Sequence, residues 1–127
     1  MKMQSPNKII LAIGSNNNAE SNIALAKMKI QSLFKDVVFT EELWTDPIDM
    51  PEGTEPFLNC LAKGYTRHGL SQIKMGLKRL ERECGNSKAK RSGNIIVLDV
   101  DVLQYGEEKL KESDWQRYYI KKLIRQL

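Results

Sequence analysis

The run Ile95-Ile-Val-Leu-Asp-Val-Asp-Val-Leu103 restricts the possible folds of this chain more than any other stretch. Its β-branched aliphatic residues favour an extended backbone. In a strand, residues i and i+2 point to one face, roughly 6.5–7 Å apart. Asp99 and Asp101 therefore project together, while Leu98, Val100 and Val102 point the other way into apolar packing. Two carboxylates on one face repel and cost stability unless something positive lies between them. Mg²⁺ is a hard cation that takes oxygen ligands and shares them with substrate phosphates. The Asp-x-Asp strand is thus a candidate metal platform for nucleotide chemistry. Strands also end in solvated, inert aspartates, and the pair alone leaves that alternative open.

The length of 127 residues suits one domain spanning 1–127 with a single core. Hydrophobic residues make up 41% and charged residues 28%, an ordinary soluble composition. No apolar run approaches the length of a membrane span. The polar start, Met1-Lys-Met-Gln-Ser-Pro-Asn-Lys8, precedes an apolar run too short for a signal peptide, so the expected compartment is the cytoplasm. Cys60 and Cys84 form no disulfide framework and no Cys-x-x-Cys pattern. Cys60 reads as a small core hydrophobe. The net charge of +4 suits an anionic ligand such as a nucleotide, or weak nucleic-acid binding. No sequence feature specifies an oligomer.

Lys8–Ile13 reads as a buried strand ending in the turn cluster Gly14-Ser-Asn-Asn-Asn18. Residues 19–34 carry Ile23, Leu25, Ala26, Ile30 and Leu33 at helical spacing, with Asn18 or Ser21 as the cap. Residues 36–45 predict a second strand, 46–56 a loop with three prolines, and 57–66 a third strand. Gly69–Gly85 predicts a helix: Leu70, Ile73, Leu77, Leu80 and Cys84 share a face, Ser71 is the candidate cap and Gly85 the C-terminal glycine. Residues 86–94 read as a basic, mobile loop, 95–105 as the Asp-x-Asp strand with a turn at Gly106, and 113–127 as an amphipathic helix bearing Tyr119, Ile120, Leu123 and Leu127. The order is β-α-β-β-α-β with a C-terminal helix, an α+β, ferredoxin-like antiparallel sheet with helices packed on it.

Two further groups accompany the aspartates. Lys88, Lys90 and Arg91 lie between Gly85 and Gly93, where a mobile cationic loop could close over a triphosphate or simply be solvated. It lacks the spacing of a P-loop. Trp44-Thr-Asp-Pro-Ile48 and Phe57-Leu-Asn59 offer aromatic faces and an amide that can read a flat heterocycle. His68, the single histidine, reads as a surface residue at a turn.

Together these motifs resemble the 6-hydroxymethyl-7,8-dihydropterin pyrophosphokinase family of folate biosynthesis. The shared pattern is a strand ending in Gly14-Ser15-Asn16, then Thr45-x-Pro47, then Phe57-Leu58-Asn59, then Glu81 and Gly85, then Leu98-Asp99-Val-Asp101. The resemblance implies the ferredoxin-like fold and transfer of diphosphate from ATP to the pterin hydroxymethyl group, releasing AMP. It implies that Asp99 and Asp101 hold two Mg²⁺ ions, with Lys88 and Arg117 on the phosphates. Gly14, Thr45, Pro47, Ile48, Phe57, Asn59 and Tyr119 would line the pterin pocket; Glu81, Lys88, Lys90, Arg91 and Val102 would face the nucleotide. The implied partners are these small molecules, with no nucleic acid and no membrane.

The chain also departs from that pattern. The family's Trp-Gly-Pro-Arg-like stretch is replaced by Gly93-Asn94-Ile95-Ile96, Asn86 stands where a basic residue follows Gly85, and the Pro-His segment is missing from a shortened C-terminal part. Arg117-Tyr118-Tyr119 echoes the family's Arg-x-Phe. A non-catalytic pterin- or nucleotide-binding paralogue is therefore the alternative. A ferredoxin-like nucleic-acid module is a third reading, which the missing Lys/Arg-Gly-aromatic-x-aromatic signature in 57–66 weakens.

Overall fold

The apolar run after Lys8 becomes the centre of the sheet. The computed structural model describes residues 5–127; the polar start, Met1 to Gln4, lies outside the described residues. Strand β1 (Asn7–Ser15) leads into α1 (Ala19–Leu33), then β2 (Lys35–Phe39), β3 (Leu43–Thr45) and β4 (Phe57–Thr66). Helix α2 (Leu70–Glu83) and short α3 (Lys88–Ser92) precede β5 (Asp99–Tyr105) and β6 (Glu108–Lys109). The C-terminal segment holds α4 (Glu112–Trp115), α5 (Tyr118–Leu123) and a closing 3₁₀ turn, Ile124–Gln126. Strand order is β2-β4-β1-β5-β6, with β3 also on β4 and every pairing antiparallel. This is the expected α+β, ferredoxin-like sheet.

The side-chain alternation of β1 divides the interior in two. Ile9, Leu11 and Ile13 face α1 and α2, joined by Leu58 and Cys60 of β4 and by Val100 and Val102 of β5. Ile10 faces the other way, into a smaller cluster with Leu61, Leu103, Tyr119, Ile120 and Leu123. The C-terminal segment therefore covers part of the second sheet face, and the uncovered end of that face carries Asp99, Asp101 and Asn59. Cys60 is fully buried, as expected, and burial pushes its thiol up to about 12. His68 is exposed at a turn.

Several boundaries differ from the sequence expectation, each for a local reason. The single strand expected over 36–45 is two. Between the pairs Phe39↔Ala62 and Leu43↔Asn59 the chain advances four residues against three on β4. At this bulge the Thr40 hydroxyl, instead of a carbonyl, accepts the Leu61 N–H at 2.9 Å. The strand expected from Ile95 pairs only from Asp99. Asn16 intervenes: its Oδ1 accepts the Ile96 N–H at 2.7 Å, and its Nδ2 donates to the Asn94 carbonyl at 2.9 Å. The basic loop is partly helical, because the Ser87 hydroxyl caps α3 by accepting the Lys90 N–H. The C-terminal helix breaks at Arg117, which is extended.

The expected caps at Asn18, Ser21 and Ser71 are not used. Asn18 occupies the N-cap position of α1 in the left-handed region without a side-chain bond, Ser21 donates to the Asn18 carbonyl, and Gly69 stands at the N-cap of α2. Leu25 and Leu33 of α1 face solvent rather than the core. Gly85 behaves as expected. At φ 103° it closes α2 in a Schellman turn, with Gly85 N–H on the Arg82 carbonyl and Asn86 N–H on the Glu81 carbonyl.

Candidate active site

Antiparallel register places polar side chains of β4 and β5 in one row across β1. Gly14 on β1 lies opposite Asn59 of β4 on one side and Asp99 of β5 on the other; Ala12 lies opposite Asp101. Because β1 contributes only Ala12 and Gly14 here, the sheet surface is hollow between the carboxylates and Asn59. The hollow is a cavity of about 270 Å³, walled by Thr45, Asp46, Ile48, Met50 and Phe57 on one side and by Arg91, Asp114, Arg117 and Tyr119 on the others. Gly14 leaves room for the amide: a Cβ there would sit 3.0 Å from Asn59 Oδ1 and press on it.

At the amide end, buried Asn59 donates through Nδ2 to Thr45 Oγ1 at 2.7 Å, which fixes the amide plane. Its Oδ1 has no bond among the described residues and remains available to accept. Phe57 and Tyr119 put aromatic rings on the same cavity. Arg117 Nη1 lies 3.3 Å from the Tyr119 hydroxyl, and its Nη2 lies 3.6 Å from Asp114. Partial burial opposes the charge of Arg117, but Tyr119 and the carboxylates of Asp114 and Asp49 outweigh it and raise its pKa.

At the acidic end, Asp99 and Asp101 are each met by a cation. Arg91 Nη2 lies 3.5 Å from Asp99, and Lys111 Nζ lies 3.6 Å from Asp101. Burial, then the hydrogen bond and charge of Asp99, push the Asp101 carboxyl up to about 6 against the pull of Lys111 and Lys78. Glu81 is almost fully buried behind the pair. Its Oε2 accepts the Val100 N–H at 2.8 Å, and its Oε1 meets Lys78 at 3.3 Å and Arg91 at 3.8 Å. It thereby satisfies an edge N–H of β5 and holds Arg91 in place. Among the described residues no cluster of three or more acidic, histidine or cysteine ligands forms. Two carboxylates without a third protein ligand suit Mg²⁺, which commonly binds through one or two carboxylates together with substrate phosphates and water.

Comparison with known proteins gives the family. The sequence profile of 7,8-dihydro-6-hydroxymethylpterin-pyrophosphokinase (HPPK) matches residues 10–124. The chain belongs to the HPPK family. It is also similar to a folate synthesis bifunctional protein of Chlamydia caviae, 28% identical over 112 residues. That alignment covers 84% of this chain and 25% of the relative, so the chain spans about a quarter of that protein's length. No helix among the described residues is long and apolar enough to cross a membrane.

The HPPK-like residues named from the sequence do not all reach the cavity. Gly14, Thr45, Ile48, Phe57, Asn59, Arg91, Asp99, Asp101, Arg117 and Tyr119 line it. Pro47 is half-buried in the loop outside the lining, and Lys88 is exposed on α3. Lys90 donates to the Gly85 carbonyl at 3.1 Å instead. Glu81 spends its carboxylate on the backbone and on cations, and Val102 is buried on the opposite sheet face, against the helices. Asp114, Met50 and Lys111 went unnamed in the sequence reading. Asp114 carried one signal, its i,i+3 spacing to Arg117; Lys111 carried none, because it meets Asp101 only through the β5–β6 hairpin.

Proposed function

We propose that this chain, as a single domain, transfers diphosphate from ATP to 6-hydroxymethyl-7,8-dihydropterin and releases AMP, a folate-biosynthesis reaction. The observation that carries the reading is the row Asp99–Gly14–Asn59, which sets a carboxylate pair and a heterocycle-reading amide at two ends of one cavity. The name of the Chlamydia caviae relative supports the same pathway.

In this reading the hydroxymethyl oxygen attacks the β-phosphorus, the bond to the α,β-bridging oxygen breaks, and AMP departs. The chain's part is positioning. Asn59 Oδ1 accepts a ring N–H of the pterin, with Thr45 holding the amide in register. Phe57, Ile48 and Tyr119 exclude water around the ring. Arg117, beside Asp114, and Arg91, beside Asp99, offer charge to the phosphates, and Lys88 and Lys90 lie on α3 outside the lining. Asp99 and Asp101 would hold two Mg²⁺ ions, which supply the charge that offsets the triphosphate.

A second reading, a binding-only relative of the enzyme, is favoured by one observation: Arg91 and Lys111 are both engaged by carboxylates of the protein itself. Release of AMP from ATP, with Mg²⁺ and against a control without pterin, separates the two. Pterin-dependent AMP is expected, and Asp99→Ala or Asp101→Ala should abolish both turnover and Mg²⁺-dependent nucleotide binding in a folded protein. Pterin binding without AMP would support the binding-only reading; unchanged nucleotide binding in both variants would remove the metal site.

A further inference from the structure

We infer that Lys111 is a movable counter-ion of the metal site: in the ligand-free chain it neutralises Asp101, and it turns to the nucleotide phosphates when Mg²⁺ takes that place. The inference rests on the reading of Asp99 and Asp101 as the metal ligands.

Three observations carry it. The first is backbone strain. Five non-glycine residues among those described have positive φ; four are Asn18, Asp36, Asp49 and Asn94, types that tolerate the left-handed region. Lys111, at φ 51°, is the exception. The backbone holds it there, with the Asp114 N–H donating to the Lys111 carbonyl at 2.9 Å, and this fixes where the side chain starts.

The second is its mounting. The residue before it is fixed to β5: Leu110 N–H donates to the Leu103 carbonyl at 2.8 Å, and Trp115 Nε1 donates to the carbonyls of Leu103 and Leu110 at 3.0 and 2.9 Å. The stem of Lys111 thus starts from a rigid point beside the acidic strand. Neighbouring Lys109 is turned away over the Trp115 ring.

The third is the contrast with Arg91. The Arg91 guanidinium lies between buried Glu81 and Asp99, at 3.8 and 3.5 Å, and its Nη2 is buried without a hydrogen bond among the described residues. Lys111 meets one carboxylate, Asp101, and its side chain is 49% exposed. One cation is enclosed between two carboxylates; the other stands half-exposed beside one. An ammonium on a four-carbon stem is a compact point charge suited to exchanging a carboxylate for a phosphate.

The test compares Lys111→Met, which keeps the stem, Lys111→Asn, which suits the left-handed backbone, and Lys111→Arg. Mn²⁺ binding to the nucleotide-free protein is followed by electron paramagnetic resonance, and binding of α,β-methylene-ATP with Mg²⁺ by calorimetry. Removing a competing unit charge should tighten Mn²⁺ binding roughly 3–10-fold in the Met and Asn variants. The same variants should bind the nucleotide analogue roughly 5–30-fold more weakly, with Arg restoring most of the loss. The opposed signs are what a merely structural lysine cannot produce. Unchanged Mn²⁺ affinity, parallel weakening of both ligands, or unfolding of the Asn variant would overturn the inference. Asp101→Asn separates this from the underlying reading: if it leaves Mn²⁺ binding at the wild-type level, the metal site itself is wrong.

Discussion

Asp101 has its burial and neighbouring Asp99 set against its charge, with Lys111 and Lys78 only partly offsetting them. Its carboxyl is pushed from an ordinary 3.8 to about 6, with burial and Asp99 as causes. The folded chain therefore binds a proton more readily than the unfolded chain between those values. Stability from this group is highest below about pH 4, falls as pH rises through the window, and stays low above about 6. Asp101→Asn should remove that slope and stabilise the ligand-free protein at pH 7 relative to the wild type. Urea unfolding at several values between pH 4 and 7 checks it: the variant's advantage should grow with pH, and a constant difference would show that the two carboxylates do not share their charge. The aspartates were legible in the sequence because a period of two fixes which side chains share a face. Glu81 was legible as a position but not as a role, since only packing shows its carboxylate accepting the Val100 N–H.

Helix α3 brings Arg91 to the site and is the element that composition describes worst. Its residues are basic and its flanks are glycines, so a solvated loop is the natural expectation. The Ser87 cap and the anchor of Lys90 to the Gly85 carbonyl turn it into a helix that aims Arg91 at Glu81 and Asp99. Ser87→Ala should cost α3 about 1 kcal/mol. The expected signs are faster amide exchange over residues 88–92 and weaker nucleotide binding, with little change in the melting temperature of the whole protein. Equal exchange in both proteins would mean that the ion pairs, not the cap, hold α3. The late start of β5 has a similar origin. Ile95–Leu98 is as apolar as the strand that follows, but Asn16, just past the end of β1, bonds both the N–H and the carbonyl of Ile96.

Across the whole molecule, one sheet serves two faces with different tasks. The face under α1 and α2 carries most of the core. The other is closed at one end by Ile120 and Leu123 and left hollow at the end where Ala12 and Gly14 pass between the aspartates and Asn59. The small cluster thus fixes where Tyr119 and Arg117 stand over the cavity. Leu123→Ala, at a fully buried site, should cost about 2–5 kcal/mol. Because Tyr119 shares that cluster, the variant should also weaken pterin binding, measurable by fluorescence titration below its melting temperature. Full pterin affinity in a destabilised but folded variant would separate the cavity wall from the cluster beneath it.

The sequence by itself determined the β-α-β-β-α-β order of the main elements, the sheet class, the shared face of Asp99 and Asp101, and the closing role of Gly85. Each follows from local periodicity or from a single backbone preference. Tertiary structure alone decided which cations meet the carboxylates, that Glu81 turns inward, that Val102 points away from the cavity, and that Lys111 arrives beside Asp101. Those contacts join segments brought together by hairpins and antiparallel register, and no local pattern encodes a distance across the sheet.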